Sequence, residues 1–204
     1  MIGIVGGTFD PVHNGHILPV KCLADNVRFA GIHYVLCARP PHRALPRAPI
    51  DHRYRMLELA LEPFPLFSPD DREIKRPGLS YTVDTLVDLR QRYADPPMCL
   101  ILGLDAYMGL QTWHRWEEIP AMVNLIVLSR PGWEPDDGIA HVDIDVLSDS
   151  RSGLVAFWRG VDVTVSSTEV RRRLGAGEDV SEQVPAGVLQ YIYENELYGT
   201  GNYE

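Results

Sequence analysis

Cysteine is scarce: Cys22, Cys37 and Cys99 are the only three in 204 residues. Odd in number, widely spaced and set in apolar runs, they give no disulfide or zinc spacing and fit buried free thiols in a reducing cytosol. No apolar run approaches the ~18 residues that span a bilayer, and the N-terminus lacks a basic stretch followed by an apolar segment. A cytoplasmic protein without membrane partners is expected. Positive charge is also short, with 19 Lys and Arg against 28 Asp and Glu and a formal net charge of −9. Binding along a nucleic-acid backbone needs broad basic patches, so no nucleic-acid partner is expected, whereas a small polyanion suits locally gathered basic residues. Repeats and low-complexity tracts are absent. The length suits one α/β domain over 1–204, or one with a small helical C-terminal extension from about 165, and the sequence leaves a homo-oligomer open.

What is present begins at the N-terminus. The apolar run Ile2-Gly3-Ile4-Val5 breaks into Gly6-Gly7-Thr8-Phe9-Asp10-Pro11-Val12-His13-Asn14-Gly15-His16 and then into a helical stretch. Strand, glycine turn and helix start in that order make a phosphate cradle. Gly6 and Gly7 let the backbone approach an anion, and a helix starting near Gly15 or His16 offers unpaired N–H groups. His13 and His16 can donate to phosphate oxygens and, when protonated, offset charge building on a pentavalent phosphorus.

Further apolar runs at His33–Ala38, Cys99–Leu102, Leu125–Leu128 and Val161–Val165 alternate with helical patterns at Asp51–Leu61, Thr82–Tyr93, Leu104–Trp113, Thr168–Leu174 and Pro185–Glu196. Short unbroken runs between helices predict a parallel sheet covered on both faces. Leu18, Cys22 and Leu23 form the expected stripe of the first helix, with Pro19 in or near its first turn. The proline-rich loop from Ala38 to Pro49 carries His42 and Arg43. Ser80 or Thr82 reads as a helix cap with Asp84 in the first turn. Asp105, just past a strand end, suits a ribose hydroxyl, a metal-bound phosphate or a helix cap equally. Arg130 suits a phosphate or a surface carboxylate, and Trp113 and Trp116 read as core anchors with a polar edge. Ser166 and Glu169 make a capping box, and Arg171, Arg172 and Arg173 then place positive charge early in a helix, where an anion would offset the opposed dipole.

The string GGTFDPVHNGH resembles the HxGH motif of the nucleotidyltransferase superfamily and, at its full length, that of the nicotinate mononucleotide adenylyltransferases. The resemblance continues through the Pro-Pro-His-Arg element, Ser80-Tyr81-Thr82, Gly103-Leu104-Asp105, Thr112-Trp113-His114, Arg130-Pro131-Gly132 and Ser166-Ser167-Thr168-Glu169-Val170-Arg171. It implies a Rossmann-like, doubly wound parallel sheet of the HUP type. It also implies transfer of the adenylyl group of ATP to nicotinate mononucleotide, giving deamido-NAD and pyrophosphate in NAD biosynthesis, with Mg²⁺ accompanying ATP and no residue assigned as a metal ligand. His13, His16 and Arg171 are then the catalytic residues. Gly6, Gly7, Thr8, Phe9, Gly15, Gly103, Asp105, Ser167 and Thr168 hold ATP. His42, Arg43, Thr82, Trp113, His114 and Arg130 hold the mononucleotide, with Trp113 stacked on the pyridine and Trp116 left in the core. The competing readings are an adenylyltransferase for nicotinamide mononucleotide or phosphopantetheine, and a nucleotide-binding regulator without turnover; the intact His13, His16 and Arg171 argue against the last.

Overall fold

The computed structural model describes residues 1–41, 45–129, 139–161 and 163–202. Among them, strands β1 (Ile2–Gly7), β2 (Gly31–Leu36), β3 (Phe67–Asp70), β4 (Met98–Gly103), β5 (Asn124–Ser129) and β6 (Val155–Arg159) form one sheet in the order β3-β2-β1-β4-β5-β6. Every pairing is parallel. Side chains alternate across a strand, so Val5, Tyr34 and Ile101 join one core layer while Ile4, Val35 and Leu100 join the other. Helices α1 (Asn14–Asn26), α2 (Ile50–Leu61), α7 (Ser167–Gly175) and α8 (Ala186–Glu194) cover the first layer. Helices α4 (Thr82–Arg92) and α6 (Ile119–Met122) cover the second. Two buried faces explain the unbroken apolar strands.

The winding places the site. From β1 the chain builds outward to β2 and β3, then returns to set β4 on the other side of β1. The direction of winding reverses between β1 and β4, where a sheet of this kind opens a crevice at the carboxyl ends of its strands.

Several expected elements differ. The sixth strand is Val155–Arg159, in register with β5 from Leu125↔Val155 to Ser129↔Arg159, and not Val161–Val165. Ala156 is fully buried on that edge, while Val161 is 52% exposed; both segments are short and apolar, and only pairing separates them. Strand β3 went unread because it contains Pro69, which a sheet tolerates at an outer edge. The helix expected over Leu104–Trp113 is cut at Gly109 into α5 (Leu104–Met108) and a 3₁₀ turn, Leu110–Thr112. Helix α1 begins at Asn14, with Pro19 inside it, and its buried stripe is Ile17, Val20 and Leu23; Leu18 is exposed and Cys22 half-buried. Of the thiols only Cys99 is buried.

Candidate functional site

A cleft of about 540 Å³ opens at the carboxyl ends of β1 and β4. Both strands end in glycine. A Cβ on Gly6 or Gly103 would meet no atom within 4 Å, and both residues line the cleft; their missing side chains leave room that the protein does not fill. Gly7 lines the cleft too, but a Cβ there would lie 2.6 Å from Phe9 Cε1, so its missing side chain also serves packing. Phe9 folds back from a left-handed backbone (φ 47°), is buried, and meets the ring of His16 edge-on at 5.1 Å.

The histidines are the next layer. His13 caps α1 and His16 sits one turn on, their rings stacked with centroids 3.7 Å apart. Gly15 permits this, for a Cβ there would lie 3.0 Å from His13 Nδ1. The His13 backbone N–H donates to His16 Nδ1 at 3.3 Å, so a neutral His16 carries its proton on Nε2. His16 lines the cleft. His13 is buried behind it, with an Nδ1 that finds no partner among the described residues. Burial pushes the His13 pKa down to about 4 and, with His13 alongside, holds that of His16 well below its usual value. Both shifts favour the neutral imidazoles at neutral pH, which leaves the pair as hydrogen-bonding groups in the unliganded cleft. The N-terminus of α1 is also less open than expected: the Asn14 N–H donates to Gln183 O and that of His16 to His13 O.

Asp10, quoted in the motif but given no role, joins distant parts of the chain. Its buried carboxylate accepts from the N–H groups of Arg47 (2.7 Å) and Ala48 (3.0 Å) and from the Tyr198 hydroxyl (2.8 Å). Arg171 donates to its backbone oxygen at 2.6 Å. Arg53, also missed, is buried and donates to the carbonyls of Thr8, Cys37 and Ala38 at the ends of β1 and β2. Its signal was present: it shares the apolar spacing of Met56, Leu57 and Ala60 along α2.

Ser167 lines the cleft and donates to Pro11 O, and Thr168 accepts from Arg171. Ser166 caps α7 by accepting from the Glu169 N–H, but Glu169 itself turns to Arg172. Arg172 and Arg173 lie in the last turn of α7, paired with Glu169 and Glu178, so they neither oppose the dipole nor require an added anion. Asp105 is exposed in the first turn of α5, outside the cleft lining.

The opposite wall carries Tyr81, Thr82, Thr85, Trp113 and His114, with the rings of Tyr81 and His114 4.2 Å apart. Tyr81 is the N-cap of α4, so neither Ser80 nor Thr82 caps it; Ser80 Oγ instead accepts from the N–H groups of Ala38 and Arg39. Trp113 packs against the second core layer, whereas Trp116 is only half-buried and joins neither layer. Glu73, from α3 (Arg72–Lys75), is an unexpected lining residue. One of its oxygens accepts from Thr85 Oγ1 at 2.5 Å and the other has no partner among the described residues. His42, Arg43 and Arg130 lie outside the described residues.

Among the described residues no three His, Cys, Asp or Glu side chains cluster as a metal cage. An ion carried by substrate phosphates needs no such cage, since the protein commonly adds one or two carboxylates at most. No helix among the described residues is long and apolar enough to cross a membrane.

Residues 4–173 match the cytidylyltransferase-like family model. The chain is 37% identical to a probable nicotinate-nucleotide adenylyltransferase of Aeromonas hydrophila subsp. hydrophila, over 97% of this chain and 96% of that one. It is 39% identical to a protein of the same description from Pseudomonas fluorescens, over 98% of each. Its fold is similar to that of Plasmodium falciparum nicotinic acid mononucleotide adenylyltransferase complexed with NaAD, with a TM-score of 0.73 and 18% identity over 97% of this chain and 96% of that one.

Proposed function

The chain belongs to the cytidylyltransferase-like family and to the nicotinate-nucleotide adenylyltransferases it matches along nearly its whole length, and from that premise we propose how its cleft works. The reaction joins ATP and nicotinate mononucleotide: the 5′-phosphate of the mononucleotide attacks the α-phosphorus of ATP, the bond to the β-phosphate oxygen breaks, and deamido-NAD and pyrophosphate leave. No enzyme residue is covalently modified, so catalysis consists of positioning and charge stabilisation.

One observation carries this reading: Gly6, Gly103, His16 and Ser167, drawn from opposite ends of the chain, converge on one cleft at the reversal of the sheet. The unfilled space beside Gly6 and Gly103 admits phosphate oxygens close to the backbone. His16, neutral with its proton on Nε2, donates to an oxygen whose charge grows in the transition state. Arg171, with Ser167 and Thr168, grips the pyrophosphate from the start of α7. Mg²⁺ borne by ATP supplies further charge neutralisation at the phosphates. At the other wall the first N–H groups of α4, with Thr82, meet the nicotinate carboxylate and Trp113 stacks on the pyridine. His42, Arg43 and Arg130 are assigned to the mononucleotide on the family resemblance, in a cytoplasmic enzyme.

A second reading, use of nicotinamide mononucleotide as well, rests on Glu73, which brings a carboxylate side chain to the lining of the cleft. Pyrophosphate release measured in parallel with nicotinate mononucleotide, nicotinamide mononucleotide and phosphopantetheine tests both. Turnover with nicotinate mononucleotide is expected to exceed the others by at least tenfold; activity confined to phosphopantetheine, or none with any acceptor, overturns the assignment.

A further inference from the structure

The cytidylyltransferase-like family model matches as far as residue 173, and the chain beyond it turns back to the histidine loop. After α8 the backbone takes left-handed conformations at Glu196 and Tyr198 (φ 52° and 59°), unusual for residues with side chains. That turn delivers the Tyr198 hydroxyl to Asp10 Oδ1 at 2.8 Å, across 188 residues of sequence. A second grip comes from the segment between α7 and α8. There Gln183 O accepts from the Asn14 backbone N–H and Glu182 O accepts from the Asn14 side-chain amide, both at 2.8 Å. Asp10 and Asn14 flank His13 on either side, and His16 leans on both through its stack on His13 and its bond from the His13 N–H. The last thirty residues thus hold both ends of the loop that aims His16 into the cleft.

We propose that Tyr198 is a positioning residue for the reaction: by tying Asp10 to the C-terminal segment it fixes the loop on which His13 and His16 stand. A strained backbone persists only where surrounding contacts outweigh its cost, and Asp10 is the hydroxyl's partner at that turn. The carboxylate that receives it is buried and holds the Arg47 and Ala48 N–H groups as well, so one hydroxyl also bears on the end of the proline loop. The inference rests on the proposed donor role of His16.

The experiment compares Tyr198→Phe, Asp10→Asn, the double variant, His16→Ala and Tyr193→Phe, an exposed tyrosine on α8 serving as control. Melting temperature, kcat, the KM of each substrate and the titration of the His16 ring by NMR are measured. Tyr198→Phe removes one oxygen and keeps the ring, so the fold survives. It is expected to lower kcat about tenfold with both KM values within about twofold, the cost of a small misplacement of a reacting group. It is also expected to shift the His16 titration, and the double variant should be no slower than Asp10→Asn alone. Wild-type kcat and an unmoved His16 titration in Tyr198→Phe, or additive losses in the double variant, overturn the proposal. A His16→Ala enzyme with normal turnover would instead remove the donor role on which it stands, a separate failure.

Discussion

The imidazole of His13 lies nearly flat against that of His16, 3.7 Å between centroids and 26° between planes, and at neutral pH neither ring is charged. Stacking two imidazoles out of water costs far less while both are neutral than when either gains a proton.

That cost predicts acid sensitivity. With a folded-state pKa of about 4 against 6.5 when unfolded, His13 takes up its proton more readily in the unfolded chain. Its share of stability is therefore complete above pH 6.5 and is lost as pH falls from there toward 4. At pH 4.5 the loss from this residue amounts to about 2–3 kcal/mol. Denaturant unfolding of the substrate-free protein at pH 7.5 and 4.5 is expected to show a drop of at least that size in the wild type, since His16 adds to it, and a clearly smaller one in His13→Gln.

The unfilled glycines give a second prediction. Gly6→Ala and Gly103→Ala place a methyl where the protein has no atom within 4 Å, so the melting temperature should hold or rise slightly, as glycine loses more chain entropy on folding. Substrate affinity should fall, by about tenfold or more for an occluded phosphate contact. Gly7→Ala should do the reverse and lower stability, because its Cβ would press into the Phe9 ring. Calorimetry of folding and of nucleotide binding on the three variants separates the two uses of glycine.

Removing the donor should strike turnover rather than fold. His16→Ala is expected to lower kcat a hundredfold or more, about 3 kcal/mol of transition-state stabilisation, while the melting temperature moves by a few degrees at most. Near-normal kcat in a folded variant would refute the role.

Substrate choice gives a fourth prediction. Trp113→Ala is expected to raise the KM of both mononucleotides about tenfold, the loss of one aromatic stacking contact, and to leave that of ATP within about twofold. Because Trp113 also packs on the core, its melting temperature falls as well, and the contrast between substrates is the diagnostic. A donor-only pocket would reject the amide outright; Glu73, an acceptor in the same cleft, softens that rejection. Glu73→Gln should therefore increase the preference for nicotinate over nicotinamide mononucleotide, as steady-state competition between the two would reveal.

Much of this was legible in the sequence, for identifiable reasons. Buried parallel strands announce themselves as unbroken apolar runs, and β1, β2, β4 and β5 lie within a few residues of where those runs fall. Two strands escaped because local pattern did not decide them: Pro69 disguised β3, and Val155–Arg159 competed with an equally apolar neighbour until pairing with β5 selected it. In the site, residues that short motifs point to, including His16, Gly103, Thr82 and Ser167, line the cleft. Those that work through distant contacts were missed. Asp10 gains its meaning from residues 37 to 188 positions away, and Glu73 from the roof formed by Thr85. Which protonation state the histidines favour was not legible, because burial, which no motif records, shifts it.

Arg53 has a further effect on what the cleft attracts. A peptide unit is polarised, and where a strand stops, its terminal carbonyl oxygens are free to point at whatever occupies the space beyond. Here the oxygens of Thr8, Cys37 and Ala38 are drawn onto one buried guanidinium, so the negative ends of three dipoles are withdrawn from the mouth of the sheet. An acidic protein thereby keeps a local corner free of the repulsion that would turn a polyphosphate away, without placing a single lysine there.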